Sequence, residues 1–202
     1  MIFNAMELPV YLMTIDEVDE GVSYVALVES PAIERPFQAF SKEKMRFTET
    51  GEKRVLTGPL MLADTPIIRR DKTRGEYFVI FQKETIRKMV QKYFKQGNQH
   101  NVNAEHSTAI DGVYMFESYL IDRERGINPP KGYEDAKNGS WFGSFKVDND
   151  KVWENRDQFT GFSVEGLFGM KPTDSALEMA LAGLAQDLAA FLQHLPSRYI
   201  SQ

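Results

Sequence analysis

The sequence predicts a mainly β domain with flanking helices, an α+β chain of the barrel or strongly curved-sheet type, followed by a C-terminal amphipathic helix. Three observations carry this. About eight runs of β-branched, aromatic and aliphatic residues are separated by turn residues, against one well-patterned internal helix. The 202 residues allow one domain of about 150 residues, a size that buries roughly 70% of its extended surface unaided. The last thirty residues switch from strand alternation to a heptad pattern. The expected division is therefore 1–170 for the β domain and 171–202 for the helix.

Residues 9–15 and 22–28 are strand-like, flank the acidic turn Asp16 to Gly21, and are expected to pair as a hairpin. Pro31 and Pro36 then break regular structure, because each removes a backbone donor and restricts its predecessor. Residues 41–52 are charged and aperiodic, and read as a surface excursion. A strand bent at Gly58-Pro59 covers 54–62, and Arg69 to Arg74 reads as a solvated hairpin tip before a strand at 76–81. Between Lys83 and Gln96 the period becomes helical, with Ile86, Met89, Val90, Tyr93 and Phe94 on one stripe and Gly97 as the stop.

Further strands are expected at 113–121, 141–147 and 160–168, with a short helix around Trp153 and a long loop from Asp122 to Asn138 whose length suggests a cover for a functional site. From Leu177 to Leu195, leucine or phenylalanine recurs at spacings of 4, 3, 4, 3 and 4. This seam is too short to be stable alone, so it needs the barrel or a second copy to lie on.

Composition narrows the chemistry. The chain has no cysteine, which excludes disulfides, thiolate metal sites and cysteine nucleophiles. A net charge of −5 argues against a nucleic-acid footprint. The N-terminus has neither a basic region nor an apolar core of the export type, and no stretch reaches 18 uninterrupted apolar residues. The chain reads as soluble and unexported, with no membrane partner.

The candidate nucleophile is Ser163. Its flanks Phe162, Val164, Leu167 and Phe168 are strand formers, alternation puts Ser163 and Glu165 on one face, and Gly161 and Gly166 permit close approach. A serine hydroxyl needs a base. Of three histidines, His194 falls in the C-terminal helix and His100 in a polar turn, which leaves His106, 57 residues before the serine. For an acidic third member Glu117, Glu105, Asp111 and Glu165 all qualify. Glu117 is preferred, because a carboxylate in an otherwise apolar strand calls for a reason. A nucleophile elbow is excluded by Glu165, which stands where that turn needs glycine. The group His100, Glu105, His106 and Asp111 lacks the helical spacing of a metal hydrolase, and no metal or cofactor is expected.

The runs Val28 to Ile33, Thr57 to Ile67, Val102 to His106, Gly139 to Ser144 and Gly161 to Gly166, with histidine before serine, resemble the phage prohead proteases, capsid-maturation serine proteases related in fold to herpesvirus assemblin. The resemblance implies a closed assemblin-like β-barrel ringed by helices. It also implies a Ser-His endopeptidase with Ser163 as nucleophile and His106 as base, cleaving scaffold protein, the major capsid protein precursor and itself inside the procapsid in the host cytoplasm. The seam at 177–195 would then serve a homo-oligomer or a scaffold contact. Assemblin carries a second histidine after the serine. Here the only later one is His194, so an acidic orienter is expected instead. The competing reading is a catalytically silent protease-like module kept for scaffold or capsid assembly.

Overall fold

The computed structural model describes residues 8–29, 48–50 and 53–173. The strands are β1 (Val10–Thr14), β2 (Gly21–Val28), β3 (Thr48–Thr50), β4 (Val55–Met61), β5 (Ile67–Asp71), β6 (Gly75–Ile80), β7 (Val102–Ala104), β8 (Thr108–Ala109), β9 (Val113–Leu120), β10 (Trp141–Val147), β11 (Gly161–Leu167) and β12 (Gly169–Pro172), with helices α1 (Lys83–Lys95) and α2 (Asp150–Glu154). The mainly β class is as predicted, and each expected strand is present within a residue or two.

The strands form three four-stranded sheets, ordered β12-β1-β6-β5, β3-β4-β10-β9 and β11-β2-β7-β8. None closes on itself, so the single hydrogen-bonded barrel expected from sequence is not what the described residues form. All three sheets nevertheless line one core, to which Met13, Leu27, Leu56, Val79, Met115, Trp141, Phe145 and Phe162 contribute. Tight aromatic contacts fasten it, Phe145 to Phe162 at 4.6 Å and Tyr93 to Trp141 at 5.3 Å between ring centroids. The sheets fail to join where β4 passes β11. Beyond Thr57, β4 has only β10 as a partner among the described residues, and Pro59 has no N–H to offer another.

The expected hairpin of β1 with β2 does not form. β1 pairs antiparallel with β12 and parallel with β6, whereas β2 pairs antiparallel with β11 and parallel with β7. The acidic turn between them is pinned instead of reversing. Glu20, only 8% exposed, accepts from the Asp16 and Glu17 amides at 2.5 and 3.0 Å. Lys92 of α1 donates to the carbonyls of Glu17, Val18 and Glu20. These bonds carry the chain over the helix into a different sheet.

Of the five residues of the predicted stripe, helix α1 buries Ile86, Met89 and Tyr93, leaves Val90 half-buried and has Phe94 exposed at its margin. It ends before Gly97, which adopts the left-handed conformation with φ 73°. The basic tip is a turn after a strand that the sequence reading left out, β5. The Asp71 carboxylate accepts from the Arg74 and Thr73 amides at 2.7 and 2.8 Å and from the Arg74 guanidinium at 2.7 Å. These bonds, the Arg74 amide first, hold its pKa down to about 2. The loop from Asp122 to Asn138 packs its own small cluster, with Tyr133 and Ala136 against Leu62, Ile121 and Phe142. Arg123 ties it with bonds to Asn138 Oδ1 and to the carbonyls of Glu134 and Ala136. The seam at 177–195 lies outside the described residues, as does the 30–47 stretch.

Candidate active site

The register of the sheet that carries Ser163 aligns three residues in a row. Ser163 of β11 sits opposite Ala26 of β2, and Ala26 opposite Asn103 of β7. Directly opposed residues share a face, so Ser163 and Asn103 flank a methyl group and project together on the side away from Phe162, which faces the core. Ser163 is 4% exposed, Ala26 0% and Asn103 5%. Glu165 lies two residues along β11 on the same face, about 6.5–7 Å further by strand rise.

A tight turn supplies the histidine. After β7 the chain reverses through Glu105 and His106, both left-handed with φ 49° and 57°, closed by a 3.0 Å bond from the Ser107 amide to the Ala104 carbonyl. Two consecutive left-handed residues make a turn that ordinarily prefers Asn-Gly, and non-glycine residues there carry strain. Two bonds hold Glu105 in place. Its amide donates to the Leu27 carbonyl at 3.1 Å, and its carboxylate accepts from the Glu29 amide at 2.6 Å.

This turn brings the His106 ring over the β11 face. His106 Nδ1 donates to Glu165 Oε1 at 2.6 Å, and Asn103 Nδ2 donates to the same oxygen at 2.7 Å. A carboxylate that accepts this bond selects the tautomer of the neutral ring with its hydrogen on Nδ1, which leaves Nε2 as the ring's acceptor. The same reasoning orients the Asn103 amide, whose Oδ1 is then a buried acceptor without a partner among the described residues. Among the described residues no hydrogen bond joins the Ser163 hydroxyl to His106 directly.

Glu117 is elsewhere. It lies on β9, in the sheet of β10, opposite Ser144, and its side chain is exposed. A bulge accounts for its apolar setting: Ser144 pairs with Glu117 and Phe145 with Met115, so Phe116 is an extra residue and both Phe116 and Glu117 turn to solvent. No hydrogen bond or ion pair links Glu117 to His106 among the described residues. His100 instead stacks on Tyr114 at 5.6 Å, and His194 lies outside the described residues. Asn103 was not singled out from sequence. Its signal was a polar residue between Val102 and Ala104, at the alternate position of a strand whose other face is apolar.

The family described as "Putative phage serine protease XkdF" matches residues 48–170, more than half of the chain. The chain belongs to this phage serine protease family. The matched span contains His106, Ser163, Glu165, Asn103 and Glu117 alike. No curated protein and no solved structure matches the chain. No helix among the described residues of this XkdF-family chain is long and apolar enough to cross a membrane.

A cavity of about 350 Å³ adjoins the serine strand of this family member. Met13, Ile67, Tyr77, Val79, Phe81 and Phe162 give it an apolar wall, and Ser163, Glu165 and Gly166 border it. The loop from Asp122 to Asn138 contributes nothing to its lining, so the cover suggested by that loop's length is not over this cavity.

Proposed function

We propose that this chain is a serine endopeptidase in which Ser163 is the nucleophile, His106 the base and Glu165 the orienting carboxylate. The bond from His106 Nδ1 to Glu165, made on the face of the strand that also carries Ser163, supports this reading above all. Glu165 takes the role that sequence reasoning preferred for Glu117.

In the reaction, Nε2 accepts the Ser163 proton as Oγ attacks the peptide carbonyl, and Glu165 balances the imidazolium that forms. The imidazolium returns the proton to the leaving amine, which departs as the acyl-enzyme forms. Water, deprotonated by the same nitrogen, then attacks the acyl ester; the bond from the acyl carbon to Ser163 Oγ breaks, the imidazolium returns its proton to Oγ, and the new carboxylate leaves. Asn103 holds Glu165 in position through the second bond to Oε1. Carboxylate, imidazole and hydroxyl fit along one strand face because the two outer members are separated by one pleat repeat.

The family and the resemblance to prohead proteases support a role in capsid maturation. The substrates would be the major capsid protein precursor, the scaffold protein and the chain itself, within the procapsid, and the seam at 177–195 would mediate self-association. The test is co-expression of Ser163→Ala and, separately, His106→Ala with the capsid precursor and scaffold. Both variants should leave precursor and scaffold uncut with normal procapsid assembly. Wild-type cleavage by Ser163→Ala would reject the enzyme, and defective assembly with unchanged processing would favour the assembly-module reading.

A further inference from the structure

We infer that the cavity beside β11 is a substrate subsite that takes one large apolar side chain of the polypeptide being cut, of the Leu, Met or Phe class. This rests on the protease reading above and adds a specificity to it.

The cavity lies at the seam where the sheets do not join. β11 is the terminal strand of its sheet, and β5, whose Ile67 lines the cavity, is the terminal strand of another. The space is therefore bounded by side chains where a further strand would otherwise close the core. Most of its wall is buried and apolar, including Ile67, Val79, Phe81 and Phe162. The residues at its margin are only half-buried: Arg69, Val164, Glu165, Phe168 and Met170. The cavity thus meets the surface along the strand that carries the nucleophile. Its volume is at the lower end of the roughly 300–1,000 Å³ range of ligand pockets, which suits a single side chain better than a folded segment or a cofactor. An apolar wall rewards a side chain for leaving water and offers little to a charged one. An extended polypeptide passing Ser163 sends alternate side chains to opposite faces, so a residue next to the reacting one turns toward the inner face of β11, where the cavity is.

Specificity in an apolar pocket is graded by volume, about 10- to 200-fold per methylene in favourable cases. One portion of the full-length wild type is treated with a small alkyl fluorophosphonate, while a separate, untreated portion is given a mixed peptide library from an unrelated proteome and the new ends are sequenced. The wild type should label at Ser163 and show enrichment of Leu, Met or Phe at one fixed position relative to the cut. Ile67→Phe, which fills the cavity, should lower the ratio of Phe-containing to Ala-containing cuts at that position by about tenfold or more. Val79→Ala, which enlarges it, should raise that ratio. The ratio is internal to each variant, so a loss of folded protein does not mimic either result. Labelling with cleavage that shows no apolar preference, or a ratio unmoved in both variants, overturns the subsite while leaving the protease reading intact. Absence of both labelling and cleavage in the wild type overturns the protease reading and the subsite with it.

Discussion

Replacing Glu165 by Gln separates the two acidic residues that compete for the third position. The amide is nearly isosteric and can still accept from Asn103 and from His106 Nδ1, now found at 2.7 and 2.6 Å, so the ring orientation should survive while the charge is lost. Two unit charges about 4 Å apart attract by about 4 kcal/mol at an effective dielectric near 20 and by about 1 kcal/mol in water. The side chains of His106 and Glu165 are 42% and 31% exposed, which places this pair between those limits. A loss of about 2–3 kcal/mol in transition-state stabilisation follows, or about a 30- to 150-fold slower acylation. Fluorophosphonate labelling of Ser163, timed by mass spectrometry, reads this without knowledge of the cleavage sequence. Glu117→Gln should label at the wild-type rate, because that carboxylate is in solvent on another sheet. If Glu117→Gln instead abolishes labelling and Glu165→Gln leaves it untouched, the assignment made from the hydrogen bonds is wrong.

Three further outcomes follow from the geometry. His106→Gly relieves a left-handed side chain, worth about 1–3 kcal/mol, and loses a partly exposed hydrogen bond worth about 0.5–1.5 kcal/mol. It should abolish labelling while leaving urea-unfolding stability equal or higher, and a loss above about 2 kcal/mol would contradict the strain. Gly166→Ala would place a Cβ 1.9 Å from the Gly21 carbonyl oxygen, forcing β11 away from β2. It should cost at least about 2 kcal/mol in the same measurement, and wild-type stability would show that the strands are not so close. Asp71 has a folded-state pKa of about 2 against an ordinary 3.8, so its stabilisation is fully present above pH 3.8 and is lost as pH falls through 2. The stability difference between wild type and Asp71→Asn should shrink over that window, and a difference independent of pH would argue against the hairpin-tip bonds.

Much of the architecture was legible because strand and helix periodicity are local properties. The runs of strand formers at 113–121 and 141–147, the alternation around Ser163 and the stripe containing Ile86, Met89 and Tyr93 each depend on neighbours within a few residues. The short strands β3, β5, β7, β8 and β12 escaped, since two to five residues give too little alternation to count. The hairpin expected between β1 and β2 failed for a different reason. Adjacency favours pairing, but the turn between the two strands is held by bonds from Lys92 of α1, far along the chain, to the carbonyls of Glu17, Val18 and Glu20.

The candidate site divides along the same line. By itself the sequence determined that a serine and a glutamate two residues apart share a strand face, and that His106 is the histidine best suited to meet them. Only the tertiary structure brings one of the carboxylates, Glu165, into contact with the ring. Glu165 meets the ring because β2 lies between β11 and β7 and because the Glu105-His106 turn aims the imidazole back across the sheet. Glu117, which apolar neighbours made conspicuous, is turned to solvent by a bulge that only its pairing with β10 reveals. Registers, bulges and turn conformations arise between segments far apart in sequence, so no reading of one strand alone contains them.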